Sequence, residues 1–141
     1  MTASHTQALA YLQTNLLRNI VALKMLKAFG PVIQSYYTEQ GSSRGALLLL
    51  PTQAFSYDAQ TYPDSDFVVL LSTTDAAACE RLLPQIPRDR KLVFKLIDRQ
   101  DHAILVQQLP LQRTRAFFSY TSRTGAHFSP AAGVIVSAAV D

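Results

Sequence analysis

Tyr57, Asp58, Tyr62, Asp64 and Asp66 bring hydroxyls and carboxylates together in one short stretch, between two apolar runs of the sequence. The segment that holds them, residues 51–66, is long for a structureless connection, and connections of that length often carry function. Tyr57, Asp58, Tyr62 and Asp64 are therefore the candidate substrate-binding residues. The alternative is that these groups cap and tether the segment itself, with Pro63 fixing its turn.

Other constellations carry less chemistry. Asp98 and His102 stand four apart on an expected helix, a spacing that gives a surface contact more readily than a catalytic dyad. His5, His102, His127 and Cys79 are the only soft metal ligands, and no two of them stand at ligand spacing. Cys79 follows three alanines and reads as small core filler. There is no Walker motif and no G-x-G-x-x-G. Gly41 and Gly45 precede an expected strand rather than opening a helix, so their amides would not converge with a helix dipole on a phosphate. Arg113-Thr114-Arg115-Ala116-Phe117-Phe118-Ser119-Tyr120 sets Phe118 and Tyr120 on one side of a strand, and Arg113, Arg115 and Phe117 on the other. Aromatic pairs so placed can stack bases, but the glycines of the RNA-recognition motif are missing, and a core strand explains the pattern as well. No catalytic, cofactor-binding or metal-ligating residue is assigned, and nucleic acid is not the expected partner.

The elements that must position these residues follow from two unbroken apolar runs, Ala46–Leu50 and Phe67–Leu71. Such runs, bounded by turn residues, suit strands buried on both faces, which need helices on both sides. Leu9, Leu12, Leu16, Ile20 and Leu23 recur at helical steps, in one helix or in two segments divided near Thr14-Asn15. Gly30-Pro31 punctuates the chain, and residues 32–39 read as a second short helix. Helices over 76–83 and 99–109 are expected to alternate with strands at 91–95, 113–121 and 134–136, with Asp98 and Asp101 resembling a capping box. The expected fold is α/β, one domain over 1–141, with a mixed, largely parallel sheet of about five strands.

With 141 residues, 48% hydrophobic and 16% charged, the chain can bury a sizeable core and is not disordered in composition. The net charge of +3 is unevenly spread: residues 1–81 hold 5 basic and 6 acidic side chains, residues 82–141 hold 8 and 4. That surplus permits an anionic partner without demanding one. One cysteine fits a reducing compartment. Without a signal peptide or an apolar stretch near the ~18 residues that cross a bilayer, a cytoplasmic protein with no membrane partner is expected.

Several phrases of the chain resemble one family over most of its length. They are Leu16-Leu17-Arg18-Asn19-Ile20, Tyr36-Tyr37-Thr38-Glu39-Gln40-Gly41-Ser42, Leu47-Leu48-Leu49-Leu50-Pro51-Thr52, Tyr62-Pro63, Leu92-Val93-Phe94-Lys95-Leu96, and Arg113 through Thr121. Together with the order of elements, they are similar to the N-terminal half of two-part N-acetyltransferases of the GNAT superfamily. That resemblance implies an accessory, degenerate GNAT-like domain. It would pack on a catalytic C-terminal half, in the same or a second chain, and help form the acceptor-substrate pocket. In the family, the C-terminal half carries the acetyl-CoA pyrophosphate loop [RQ]-x-x-G-x-[GA]. Here Gln40 and Gly45 match the ends of that pattern, but Ser43 stands where the glycine is required, so acetyl-CoA is expected in the other half and not in this chain. The sequence is then a fragment, or a domain that needs a second chain, with the 134–136 strand as an open edge through which it self-associates. A stand-alone module for an anionic ligand or RNA, and a small homo-oligomeric interaction domain, are the alternatives.

Overall fold

A computed structural model describes residues 3–109 with their side chains, and the backbone of 111–122 and 128–139. The chain opens with two helices, α1 (Ala3–Leu12) and α2 (Ile20–Phe29), then a hairpin of β1 (Gln34–Gln40) and β2 (Ser43–Pro51). A short helix α3 (Ser56–Thr61) leads to β3 (Phe67–Thr73), α4 (Ala76–Leu82), β4 (Leu92–Leu96), α5 (Arg99–Gln108), β5 (Leu111–Ser122) and β6 (Phe128–Ala139). The protein is α/β, with a mixed sheet between helices. Among the described residues the sheet has six strands in the order β1-β2-β3-β4-β6-β5.

Alternation along β2 and β3 builds two cores. Leu47, Leu49, Val69 and Leu71 face one side, where Cys79 and Leu82 of α4 and Leu105 of α5 cover them. Ala46, Leu48, Leu50 and Leu70 face the other, under Ala8, Tyr11 and Leu12 of α1 and Ala22 and Leu26 of α2. The register sets Leu49 opposite Val69, so the two expected central runs are direct partners. At Gly45 the layers meet most closely: a Cβ there would lie 3.0 Å from Thr73 Cγ2 and 3.1 Å from Leu82 Cδ1. A side chain at this position would press on both neighbours by a few tenths of an ångström.

Four expectations are corrected. The sheet is not largely parallel: β3–β4 is parallel, while β1–β2, β2–β3, β4–β6 and β6–β5 are antiparallel. Residues 34–40 form a strand rather than a helix. Tyr36, Tyr37 and Thr38 favour the pleated surface, and Gly41, at φ +61°, closes a two-residue hairpin with Gln40 opposite Ser43. Of the two forms expected for the leucine stripe the two-segment one holds, but its residues do not form one continuous face. The chain turns over 13–19, where Asn19, buried, donates from Nδ2 to the Leu12 carbonyl (3.1 Å), and Leu16 and Ile20 are left exposed. Finally, the 134–136 segment is not an edge, because β6 pairs with β4 on one side and β5 on the other. The proposed stacking face of Phe118 and Tyr120 concerns side chains outside the described ones.

Leu49, 1% exposed, sits between the two helical layers. Leu49→Ala is expected to cost about 2–5 kcal/mol in urea unfolding. A loss below about 1 kcal/mol would mean that β2 is peripheral.

Candidate functional site

The connector that carries the candidate residues is tied down by its own polar groups. Thr52 N donates to the Asp66 carbonyl (3.0 Å), Asp66 N donates to the Lys91 carbonyl (2.7 Å), and Lys91 N donates to Asp66 Oδ2 (2.9 Å). Ser65 Oγ donates to the Tyr62 carbonyl and meets the Thr52 hydroxyl at 2.8 Å. Asp66 is thus a tether. Asp64 is exposed and forms no ion pair among the described residues.

The remaining three converge on a residue outside the connector. Asp58, on α3, is fully buried and pairs through Oδ1 with Lys95 Nζ at 2.8 Å. The Lys95 ammonium lies 5.7 Å from the ring centroid of Tyr57 and 5.8 Å from that of Tyr62, within the range of cation–π attraction. Tyr57 leads on to Phe55 and, through it, to Phe29 at the end of α2. Asp58 Oδ2 has no hydrogen-bond partner among the described residues. The arrangement is a charge-neutral pair under an aromatic roof whose outer wall, Tyr57, is open to solvent. It can orient a polar ligand through two phenols and an ammonium, but it contains no nucleophile beside a base. Sequence reasoning missed Lys95. The signal was there, a lysine in the apolar run Leu92-Val93-Phe94-Lys95-Leu96, on the period-2 position shared with Val93.

A second polar cluster gathers at the C-terminal ends of the parallel strands β3 and β4. Arg18, from the turn between α1 and α2, donates through Nη2 to the Thr73 carbonyl (3.0 Å) and to Asp98 Oδ2 (3.2 Å). Asp98 caps α5 by accepting from Gln100 N at 2.8 Å, as expected. Asp101 does not complete a capping box. It turns inward and accepts from the Thr73 hydroxyl at 2.6 Å. Burial pushes its carboxyl up to about 6, opposed by the Thr73 hydrogen bond and assisted by the Asp98 charge. Burial also raises the Cys79 thiol far above its ordinary value, with the Asp101 charge adding to it, so Cys79 is an inert core group. On the neighbouring strand face, Ser72 Oγ donates to Asn19 Oδ1 (2.7 Å) and meets the Tyr11 hydroxyl (3.4 Å).

Asp75 occupies the N-terminus of α4. Its Oδ1 accepts from Ala78 N (2.9 Å) and from Ser43 Oγ (2.7 Å), and Arg81 braces Ser43 through its carbonyl and hydroxyl. The Ser43 hydroxyl leads in holding the Asp75 carboxyl below its ordinary value, followed by the Ala78 amide. Among the described residues no group of three or more His, Cys, Asp or Glu side chains could hold a metal, and no helix is long and apolar enough to cross a membrane.

Compared with known proteins, the chain has no significant match to a family model, a curated protein or a solved structure.

Two outcomes test this geometry. Asp58→Asn leaves the Lys95 ammonium, 14% exposed, without its counter-charge. It is expected to lose about 3–5 kcal/mol in urea unfolding, largely recovered when Lys95→Met is added; a loss below about 1 kcal/mol would show that the pair is not structural. Asp101, with its folded pKa raised from 3.8 to about 6, stabilises the fold in its protonated form. That contribution is full below about pH 4 and disappears as pH rises through 6. Asp101→Asn, which keeps an acceptor for Thr73, is expected to raise stability above pH 7 by up to roughly 2–3 kcal/mol and to leave it unchanged near pH 4. Parallel Tm-against-pH curves for the two proteins would refute this.

Proposed function

We propose that this chain is a non-catalytic, degenerate GNAT-like domain of an N-acetyltransferase, which packs on the acetyl-CoA-binding half and helps to form the acceptor-substrate pocket. The observation that carries the reading is the state of the two helix N-termini that follow the parallel strands. An acetyl-CoA pyrophosphate is held by free amides of a glycine loop at a helix start. Here one amide at the start of each of α4 and α5, Ala78 N and Gln100 N, is already taken by the chain's own carboxylate, Asp75 and Asp98. Asp75 is fixed from behind by Ser43, and Asp98 by Arg18. A diphosphate would meet two anions instead of a cradle. The turn between β3 and α4, Thr74-Asp75, has no glycine to open it.

The order of elements supports the family part of the reading: one parallel strand pair, crossed by α4, between antiparallel arms. The acceptor side is assigned to the aromatic roof of Tyr57, Asp58, Tyr62 and Lys95, whose outer face is open. Asp64, which forms no ion pair among the described residues, is not included.

Calorimetric titration of the chain with acetyl-CoA, up to about 1 mM, is expected to give no saturable heat. Saturable binding competed by CoA would overturn the non-catalytic assignment. The family assignment is tested separately by the transcript that encodes residue 141, or the neighbouring gene: a segment with the [RQ]-x-x-G-x-[GA] loop is expected there, and its absence from both would overturn the half-enzyme reading.

A further inference from the structure

α1 and α2 form an antiparallel pair whose outer side holds an open cleft of about 870 Å³. Its lining is mostly apolar, with Leu9, Leu16, Leu23, Leu26 and Ile33, and also includes the polar side chains of His5, Gln13 and Lys27. The apolar character continues beyond it: Leu16 is 63% exposed, Leu17 47% and Ile20 40%. These are large aliphatic side chains at one end of the helix pair, and water is a poor neighbour for such a patch.

The charge on this layer is one-sided. The first 38 residues contain no Asp or Glu, and the first acidic residue of the chain is Glu39. Arg18 is engaged by Asp98, but neither Lys24 nor Lys27 forms an ion pair among the described residues. Along α2, Lys27 lines the cleft one turn after Leu23, and Lys24, exposed three residues before Lys27, stands beside it on the flank of the helix.

We propose that the α1–α2 cleft is a docking groove for an amphipathic, acidic helix of a partner protein: an apolar stripe fills the cleft and flanking carboxylates meet Lys24 and Lys27. Shape selects a helix. Two antiparallel helices of ten residues each make a groove of about 15 Å, the length of a third helix of three turns. Charge selects the acidic class and disfavours a second copy of this chain, because two copies of the same acid-free face would set lysine against lysine. Concavity disfavours a bilayer, whose flat surface would leave the cleft unfilled, and two free lysines are few for membrane attraction. The inference rests on the charge and shape of this surface and stands apart from the acetyltransferase reading.

The test uses two synthetic peptides of about fourteen residues that share one leucine stripe at helical spacing, with glutamate at the flanking positions in one and lysine in the other. Fluorescence anisotropy on the whole chain is expected to show saturable binding of the glutamate peptide and at least roughly tenfold weaker binding of the lysine peptide. The double variant Lys24→Glu/Lys27→Glu is expected to reverse the order. Leu16→Asp, at an exposed site that leaves the core intact, is expected to weaken the glutamate peptide roughly tenfold. Equal binding of the two peptides, no saturation by the glutamate peptide up to about 1 mM, or an order unmoved by charge reversal would overturn the proposal. Co-sedimentation of the chain with phosphatidylserine vesicles that Leu16→Asp abolishes would overturn it in favour of a membrane face. A dimer in light scattering that Leu16→Asp dissolves would overturn it in favour of a second copy.

Discussion

The structure depends on two strands kept from water on both faces. From Gly45 to Leu50 and from Val68 to Thr73, every residue is buried. Buried backbone amides and carbonyls must find partners, so β2 and β3 pair on both edges: β2 with β1 and β3, β3 with β2 and β4. Buried side chains on alternate sides need two apolar covers, so helices lie on both faces. The parallel pairing of β3 and β4 requires a crossover, which α4 supplies. Much of the architecture follows from those twelve residues lying out of water.

That part of the fold was legible in the sequence, because the runs at 46–50 and 67–71 are local, unbroken and bounded by turn residues. Residues 34–40 were harder. Gln34-Ser35-Tyr36-Tyr37 has neither a clean alternation nor a helical stripe, and its strand identity comes from β2 across the Gly41 turn. The leucine stripe from 9 to 23 misled for the opposite reason. Its periodicity is real, but the turn over 13–19 divides it between the core and the solvent. The direction of the sheet was not legible either, since short apolar runs read the same whichever way their neighbours point.

The site was legible only in its outline. Tyr57, Asp58 and Tyr62 do lie together, but what gathers them is Lys95, 37 residues after Asp58, and no local pattern announces a buried ion pair. Asp98 and Asp101 look alike as helix-start carboxylates. One of them caps the helix in view of solvent, and the other is drawn under Thr73 into the core. The difference lies in the neighbouring strand. Asp64 and Asp66 sit two residues apart in one acidic stretch, and the backbones of Thr52 and Lys91 make a tether of one and leave the other in water.

The two-residue turn at Gly41 also bears on the order in which the chain can assemble. Closing a loop costs entropy that grows with its length. β1 and β2 close over Gly41-Ser42, whereas β3 reaches its parallel partner β4 only after the whole of α4 and the segment up to Lys91. β4 in turn waits for β6, beyond both α5 and β5. The cheapest contacts are therefore those at the N-terminal end of the sheet, where the hairpin can offer an apolar surface to α1 and α2 soon after they emerge. The pairing that sets the polar cluster of Thr73, Asp98 and Asp101 belongs to the slow, non-local part of folding. A carboxyl group destined for the interior thus remains in water until most of the sheet around it exists.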